Sequence, residues 1–592
     1  MGELKQKTAK GVIWSAVERF SVQGVQFIVM IVMARILTPE DYGLVGMLAI
    51  FLAVSQSLVD SGFSQALIRK RDRTEVDNST VFYFNIAVGL LLYIALYLAA
   101  PAVAGFYDAP ALTSVMRVIC VSVVINSFVV VQRALYTSRI DFRTQAKASL
   151  TAAVASGVVG IVMAYSGFGV WSIVTQQLIN LVVNAALLWM FSGWHPRLVY
   201  SWKSFKELFS FGSKLMLSGL IDTLYKNIYT LVIGKVFSAG SLGHYTRAQQ
   251  FADFPSSNLT GIMQRVTYPV LCSIQDDDAR LSDVYRRFLR LSAFIIFPLM
   301  MGLSAVAEPF VEIFIGEQWS YCAALLQVLC FAMMWYPIHA INLNLLQVKG
   351  RSDLFLRLEI IKKVLGVAVL CATVPLGLMA MCYGQILSSI ISLVINTYYT
   401  GKLIGVGFIR QMKDLFPTAL LSLVMFVAVL LSVHVIEYIY LQLVVGIVVG
   451  VAVYILFSRL LKFQEYSELI ALVKKNKNKS ENNGKGQSDH GDISPVAGYG
   501  GVQRAPQGDL GQQVDNQQRD IPQASRSRSV RISEGAVHKP IHERYPTPDH
   551  GSPGPEDNRG GDNYTLQFRG HYTCPVVERD KAGICGYRSN NR

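Results

Sequence analysis

Phe27-Ile-Val-Met-Ile-Val-Met-Ala-Arg35-Ile-Leu-Thr38-Pro39-Glu40-Asp41-Tyr42-Gly43-Leu-Val-Gly-Met-Leu-Ala-Ile50 is the stretch on which the fold reading turns. One apolar run ends at Leu37, four residues without lysine or arginine turn the chain, and a second apolar run starts at Tyr42. A helix needs roughly 20 residues to cross a hydrocarbon core, and both runs reach that length. Outward from this turn the pattern repeats. Apolar runs cover 11–37, 42–67, 80–106, 112–135, 146–165, 170–191, 209–237, 242–271, 288–315, 323–348, 354–374, 376–403, 416–435 and 441–461. The runs beginning at Leu242 and Leu354 carry the most polar residues. Lipid leaves unpaired backbone groups without partners, and the runs lack the alternation of barrel strands, so the expected fold is all-α with about fourteen transmembrane helices.

The connecting turns carry an orientation signal. Lysine and arginine gather in every second one: Arg69, Lys70, Arg71 and Arg73; Arg139 and Arg143; Arg197, Lys203 and Lys206; Arg280, Arg286 and Arg287; Lys349 and Arg351; Arg410 and Lys413. The intervening turns, among them 38–41, 107–110, 166–169, 238–241 and 316–319, contain none. Basic loops stay in the cytoplasm, which implies an even helix count, both termini cytoplasmic and residence in a bacterial inner membrane. The first run is too long for a removable signal peptide and lacks a small-residue cleavage site.

Composition agrees. Of 592 residues 52% are hydrophobic and 16% charged, against about a quarter charged in soluble domains, and the mean hydropathy is +0.37. The net charge of +14, from 54 basic and 40 acidic residues, sits in the turns and forms no aromatic-interleaved stripe, so nucleic acid is not an expected partner. The 8 cysteines include no CxxC pair, which argues against a zinc site or disulfide scaffold, and no cofactor is expected. There is no GxxxxGK[ST] loop for an ATPase and no large loop of the kind a polysaccharide polymerase would carry.

Shifting the sequence by 200 positions lays Ala34-Arg35 over Gly234-Lys235 and Gly43 over Gly243. Two six-helix bundles in one orientation follow, spanning 1–200 and 201–405, with two further helices in 406–462 and a cytoplasmic tail in 463–592. Parallel repeats are related by an axis along the membrane normal, which puts a substrate path between them.

Lys10-Gly-Val-Ile-Trp-Ser15, the turn Arg35 to Gly43, Gly62-Phe63-Ser64 and Gly240-Ser241-Leu242-Gly243-His244-Tyr245 resemble bacterial polysaccharide transporters, the Wzx-type oligosaccharide flippases of the multidrug/oligosaccharidyl-lipid/polysaccharide exporter superfamily. The resemblance covers roughly residues 1–470. It implies a non-enzymatic transporter that turns an undecaprenyl-pyrophosphate-linked oligosaccharide, a repeat unit for O-antigen and lipopolysaccharide, capsule or exopolysaccharide, to the periplasmic leaflet by alternating access. Membrane lipid, a polysaccharide polymerase and chain-length machinery are the implied partners. Two alternatives stay open: a drug/cation antiporter of the same superfamily, which would prefer an acidic cavity, and a membrane glycosyltransferase or polymerase.

A pyrophosphate headgroup needs a wet cavity with cations, since burying an unpaired charge in low dielectric costs tens of kcal/mol by idealised estimates, and arginine matches phosphate with its two-pronged donor fork. The candidates are Arg19, Arg117, Lys226, Arg247 and Arg265. Arg35 and Lys235, near run ends, are expected to snorkel to the interface. Asp60 and Asp222 are ion-coupling candidates, though local charge pairing is the favoured reading of both. Asn180 and Asn184 could meet sugar hydroxyls or tie helices together. Asp276-Asp277-Asp278 resembles a metal–nucleotide-sugar motif without a domain to serve it. After Lys479 the composition turns to Gly, Pro, Ser, Asn, Gln, Asp and Arg, and such a segment should be disordered. The change of preferred cation beyond Arg504 suggests a non-native extension; a genuine interaction tail is the alternative.

Overall fold

The computed structural model of the chain describes residues 2–70 and 72–471, and for residues 2–13 and 15–19 the backbone alone. Expectations for the tail beyond residue 471 lie outside the described residues. The first part of the chain forms α1 (Gly2–Ile36), α2 (Pro39–Asp60), α3 (Phe63–Arg69), α4 (Glu75–Phe106), α5 (Leu112–Ile119), α6 (Val121–Ser127), α7 (Val130–Ser138), α8 (Phe142–Tyr165) and α9 (Val170–Ser192). Next come α10 (Trp202–Val236), α11 (Ala239–Cys272), α12 (Asp278–Ala305), α13 (Ala307–Ile315), α14 (Ser320–Met333), α15 (Tyr336–Val348), α16 (Ser352–Thr373) and α17 (Leu378–Ile404). The pair α18 (Phe408–Val435) and α19 (Ile439–Leu460) follows.

Each predicted run is helical, but fewer are plain lipid spans. Among the described residues nine helical stretches are long and apolar enough to cross a membrane, ten if the bent segment 112–138 is one span. The four other predicted runs correspond to α1, α10, α11 and α16. Their length suffices; their charges lower their apolarity, as with Lys214, Asp222, Lys226 and Lys235 in α10 or Arg357, Glu359, Lys362 and Lys363 in α16. Three predicted spans are also broken. The run 112–135 becomes α5, α6 and α7; 288–315 breaks at Val306; 323–348 breaks before Tyr336-Pro337. Pro309 and Pro337 sit in the first turns of the helices that restart, where a missing N–H breaks no helical bond.

Several helix starts are fixed by polar caps. Thr38 and Asp41 form a reciprocal capping box at α2, with Thr38 N to Asp41 Oδ2 at 3.0 Å and Asp41 N to Thr38 Oγ1 at 3.3 Å. Two hundred residues on, Ser238 caps α11 through Ser241 N at 3.1 Å. Here α2 and α11 cross. A Cβ on Gly43 would lie 1.8 Å from the Ala239 carbonyl oxygen, and one on Gly243 would lie 1.9 Å from that of Pro39. The contact is reciprocal at a shift of 200, the same shift that aligned the sequence, and only glycine permits it.

α1 packs along α8 and α8 along α9, while α11 packs against α14 and α15 and α12 against α18. α10 lies against α2, α3 and α4. Positions along it meet that side at Gly212 with Gly62, Gly219 with Ser57 Oγ and Gly234 with Met47 and Tyr107. A backbone-to-backbone approach fixes the first of these: a Cβ on Gly62 would stand 2.4 Å from Gly212 O. Lys70 fastens the same corner, bonding Asp77 at 3.2 Å and Glu207 at 3.1 Å. Burial alone would lower the Lys70 pKa, but the two carboxylates hold it above the ordinary lysine value. The α18–α19 pair is tied to α12 by Arg286 on Asp414, with both bonds 2.6 Å, and the segment after α19 by Arg290 on Glu465 and Arg287 on Glu468, each 2.8 Å.

Candidate functional site

The candidate charges fall in two clusters, Arg247 of α11 against α2 and Asp222 of α10 against α16. Arg247 lies eight residues into α11, about 12 Å from the turns at Thr38 and Ser238 at 1.5 Å per residue. Its guanidinium carbon stands 3.9 Å from the ring centre of Tyr42 on α2, and Nη1 donates to Gln250 Oε1 at 2.7 Å. Nε is buried with no hydrogen-bond partner among the described residues. No carboxylate there forms an ion pair with it. A half-buried guanidinium with an unused Nε donor and an aromatic face behind it is arranged to receive an anion.

Lys226 lies about 15 Å from the same end of α10, and its ammonium meets Asp222 Oδ2 at 2.7 Å with the side chain 70% exposed. Lys363 of α16 reaches Asp222 Oδ1 at 3.2 Å and stands 5.6 Å from the Tyr225 ring centre. Asp222 is thus bracketed by two ammonium groups. Lys363 was missed in the sequence, although a lysine pair at 362–363 inside an apolar run was a readable signal.

The other predicted residues are elsewhere. Arg265 is on α11, 18 residues or about 27 Å beyond Arg247; it is exposed and has no hydrogen bond, ion pair or ring contact among the described residues. One diphosphate cannot touch both arginines. Arg117 of α5 stacks on Tyr97 at 4.4 Å, with Nε unpartnered among the described residues. Asp60 ends α2 and accepts from the Ser64 hydroxyl and, at 3.4 Å, from Ser64 N, so it caps α3. The side chain of Arg19 lies outside the described residues; its backbone belongs to α1. Asn180 and Asn184 bond Ser156 at 3.1 Å and Ser149 at 3.4 Å, joining α9 to α8. The Asp276 to Asp278 run is consumed by structure: Asp277 caps α12 through Arg280 N at 3.0 Å, and Asp278 pairs with Lys349 at 2.5 Å. Among the described residues no cluster of His, Cys, Asp and Glu could hold a metal.

Above Arg247 the Thr38 end is closed by contacts between the first and second parts of the chain. Arg35 does not merely snorkel: its Nε donates to Phe314 O at 3.0 Å and Nη2 to Ile313 O. Lys235 pairs with Asp108 at 3.0 Å. Gln318 Nε2 donates to Ala34 O at 2.9 Å and Leu37 O at 3.1 Å, and Trp319 Nε1 to Ala34 O at 2.8 Å. Trp319 is fully buried. Nothing in its loop, Gly316 to Trp319, signalled that in the sequence.

Comparison with known proteins gives consistent results. The profile of a family described as "Polysaccharide biosynthesis protein" matches residues 32–324. The lipopolysaccharide biosynthesis protein WzxC of Escherichia coli (strain K12) is 26% identical over 400 residues, 67% of this chain and 80% of that one. The teichuronic acid biosynthesis protein TuaB of Bacillus subtilis (strain 168) is 25% identical over 356 residues, 60% of this chain and 74% of that one. Among solved structures, the lipid II flippase MurJ in an inward closed conformation superposes with a TM-score of 0.63 at 15% identity, covering 78% of this chain and 100% of that one, which shows the fold. The turn motifs, the profile and the relatives agree: the chain is a multi-pass membrane protein similar to proteins of polysaccharide biosynthesis.

Proposed function

We propose that the protein moves an undecaprenyl-pyrophosphate-linked oligosaccharide from the cytoplasmic to the periplasmic leaflet of a bacterial inner membrane, as a precursor for O-antigen, capsule or exopolysaccharide. Arg247 carries the reading. Among the described residues it is a cation without an acidic partner, placed where α2 and α11 cross, and it leaves its Nε free for a diphosphate. Two six-helix halves, 1–200 and 201–405, rock about that crossing, with 406–462 as an added pair and the termini in the cytoplasm. Arg265 and Lys214, at about 39 and 33 Å from the Thr38 end by helix rise, extend the run of cations from the cytoplasmic entrance toward the Arg247 level. The closed Thr38 end matches a chamber open toward the cytoplasm. Asp222, already neutralised by Lys226 and Lys363, speaks for charge pairing and against an antiporter carboxylate.

The test is glycan export in cells whose only copy carries Arg247→Ala or Arg265→Ala. Each loses export while the protein stays in the membrane at its normal level; normal export with Arg247→Ala refutes the assignment.

A further inference from the structure

The closure at the Thr38 end is built mostly from bonds that water can replace. The carbonyls at a helix C-terminus have no partner within the helix. Here Ala34 and Leu37, at the end of α1, receive theirs from Gln318 and Trp319, while Ile313 and Phe314, at the end of α13, receive theirs from Arg35. When the two sides part, each of these groups faces solvent, and the net loss per bond is small because protein–water bonds substitute. What water cannot replace is the aromatic stack. Trp319 meets Tyr42 edge-to-face with ring centres 5.6 Å apart and His244 at 5.5 Å. Tyr42 in turn presents its ring to Arg247 at 3.9 Å.

The chain of contacts runs from the candidate anion site to the plug through one ring. Tyr42 is 6% exposed and Trp319 0%, so neither can shift while the other stays. The Arg247 guanidinium holds Tyr42 by a cation–π contact only as long as no better anionic partner is present. A diphosphate outcompetes an aromatic ring for a guanidinium, since charge-assisted fork bonds are the stronger interaction.

We infer that Arg247 is the sensor of a gate at the Thr38 end: a diphosphate group takes its guanidinium from Tyr42, and the freed Tyr42 releases Trp319 from Ala34. This rests on the flippase reading and adds to it the step by which cargo opens the far door. Uncontrolled opening is prevented because an unloaded Arg247 keeps the stack in place.

The experiment uses the full chain with its native cysteines replaced by serine and a single Ala34→Cys, a position 0% exposed in the closed end. Labelling by a polar maleimide in detergent reads the gate. Undecaprenyl diphosphate accelerates labelling about five- to thirtyfold, the population shift that loss of a desolvated cation–π contact produces, and undecaprenol does not. With Arg247→Gln labelling is already fast without ligand, and the diphosphate adds nothing. Tyr42→Leu labels rapidly without any ligand, and Tyr42→Phe, which keeps the ring, behaves as the parent. A diphosphate response that persists in Arg247→Gln, or protection that persists in Tyr42→Leu, overturns the gate. Normal glycan export in cells carrying Arg247→Gln would remove the cargo reading itself, whereas lost export with the diphosphate response intact would remove the gate alone.

Discussion

Substituting Gly43 by alanine probes the crossing of α2 and α11 with a single methyl group. The added Cβ would stand 1.8 Å from the Ala239 oxygen and 2.4 Å from its carbonyl carbon, and real Cβ atoms do not come within 3.0 Å. Subtracting 1.8 from 3.0 gives 1.2 Å by which the two backbones must part at least. No flexible side chain can yield, because the obstacle is backbone. Overpacking of this kind costs about 1–3 kcal/mol, and only the conformation closed at the Thr38 end suffers it. The closed population should therefore fall relative to the open one by roughly 5- to 150-fold. Spin labels at Asp108 and Glu317, both exposed and on opposite sides of the closure, read the change as a longer and broader distance distribution. Gly24→Ala is the control, because its Cβ would meet nothing within 4 Å. Gly243→Ala produces the same shift, and the double variant adds less than the sum, since both methyl groups open one crossing. Unchanged distances and full export in Gly43→Ala, indistinguishable from Gly24→Ala, would refute the reasoning.

Three further outcomes are expected. Asp222→Asn lowers the thermal midpoint modestly, since this pair is half-exposed and worth about 1 kcal/mol or less, and adding Lys363→Met restores part of it; complete loss of export in the double variant would instead mark Asp222 as an ion-coupling site. Arg286→Ala removes a two-bond carboxylate pair and costs about 2 kcal/mol, read as a lower unfolding temperature in detergent with α18 and α19 more open to protease. Deleting residues 485–592 leaves export unchanged; loss of export from a stably inserted protein would make the tail a working part.

The helical runs were legible because hydrocarbon imposes one rule on every spanning segment, so length and apolarity suffice. The same rule misjudged detail where the chain departs from a uniform lipid environment. α10, α11 and α16 are helices of spanning length that carry charges a lipid face would not accept, and the breaks at Val306 and Tyr336 follow from prolines whose place in a restarted first turn a hydropathy window does not register. The 200-residue shift was visible in Gly43 and Gly243, but not that these two glycines touch reciprocal backbones, since sequence periodicity carries no information about which copies meet. For the site, Arg247 stood out as an intramembrane cation. Its ring partner Tyr42 and the plug Trp319 did not, because aromatic residues beside turns are ordinary at membrane interfaces and only the packing of separate segments gives these two a role.

The placement of α10 bears on how such a molecule could be taken apart. This helix follows the connector at 193–201, yet along much of its length it rests on α2, α3 and α4, which precede that connector. A cut in the connector would therefore still leave two fragments held to each other along α10.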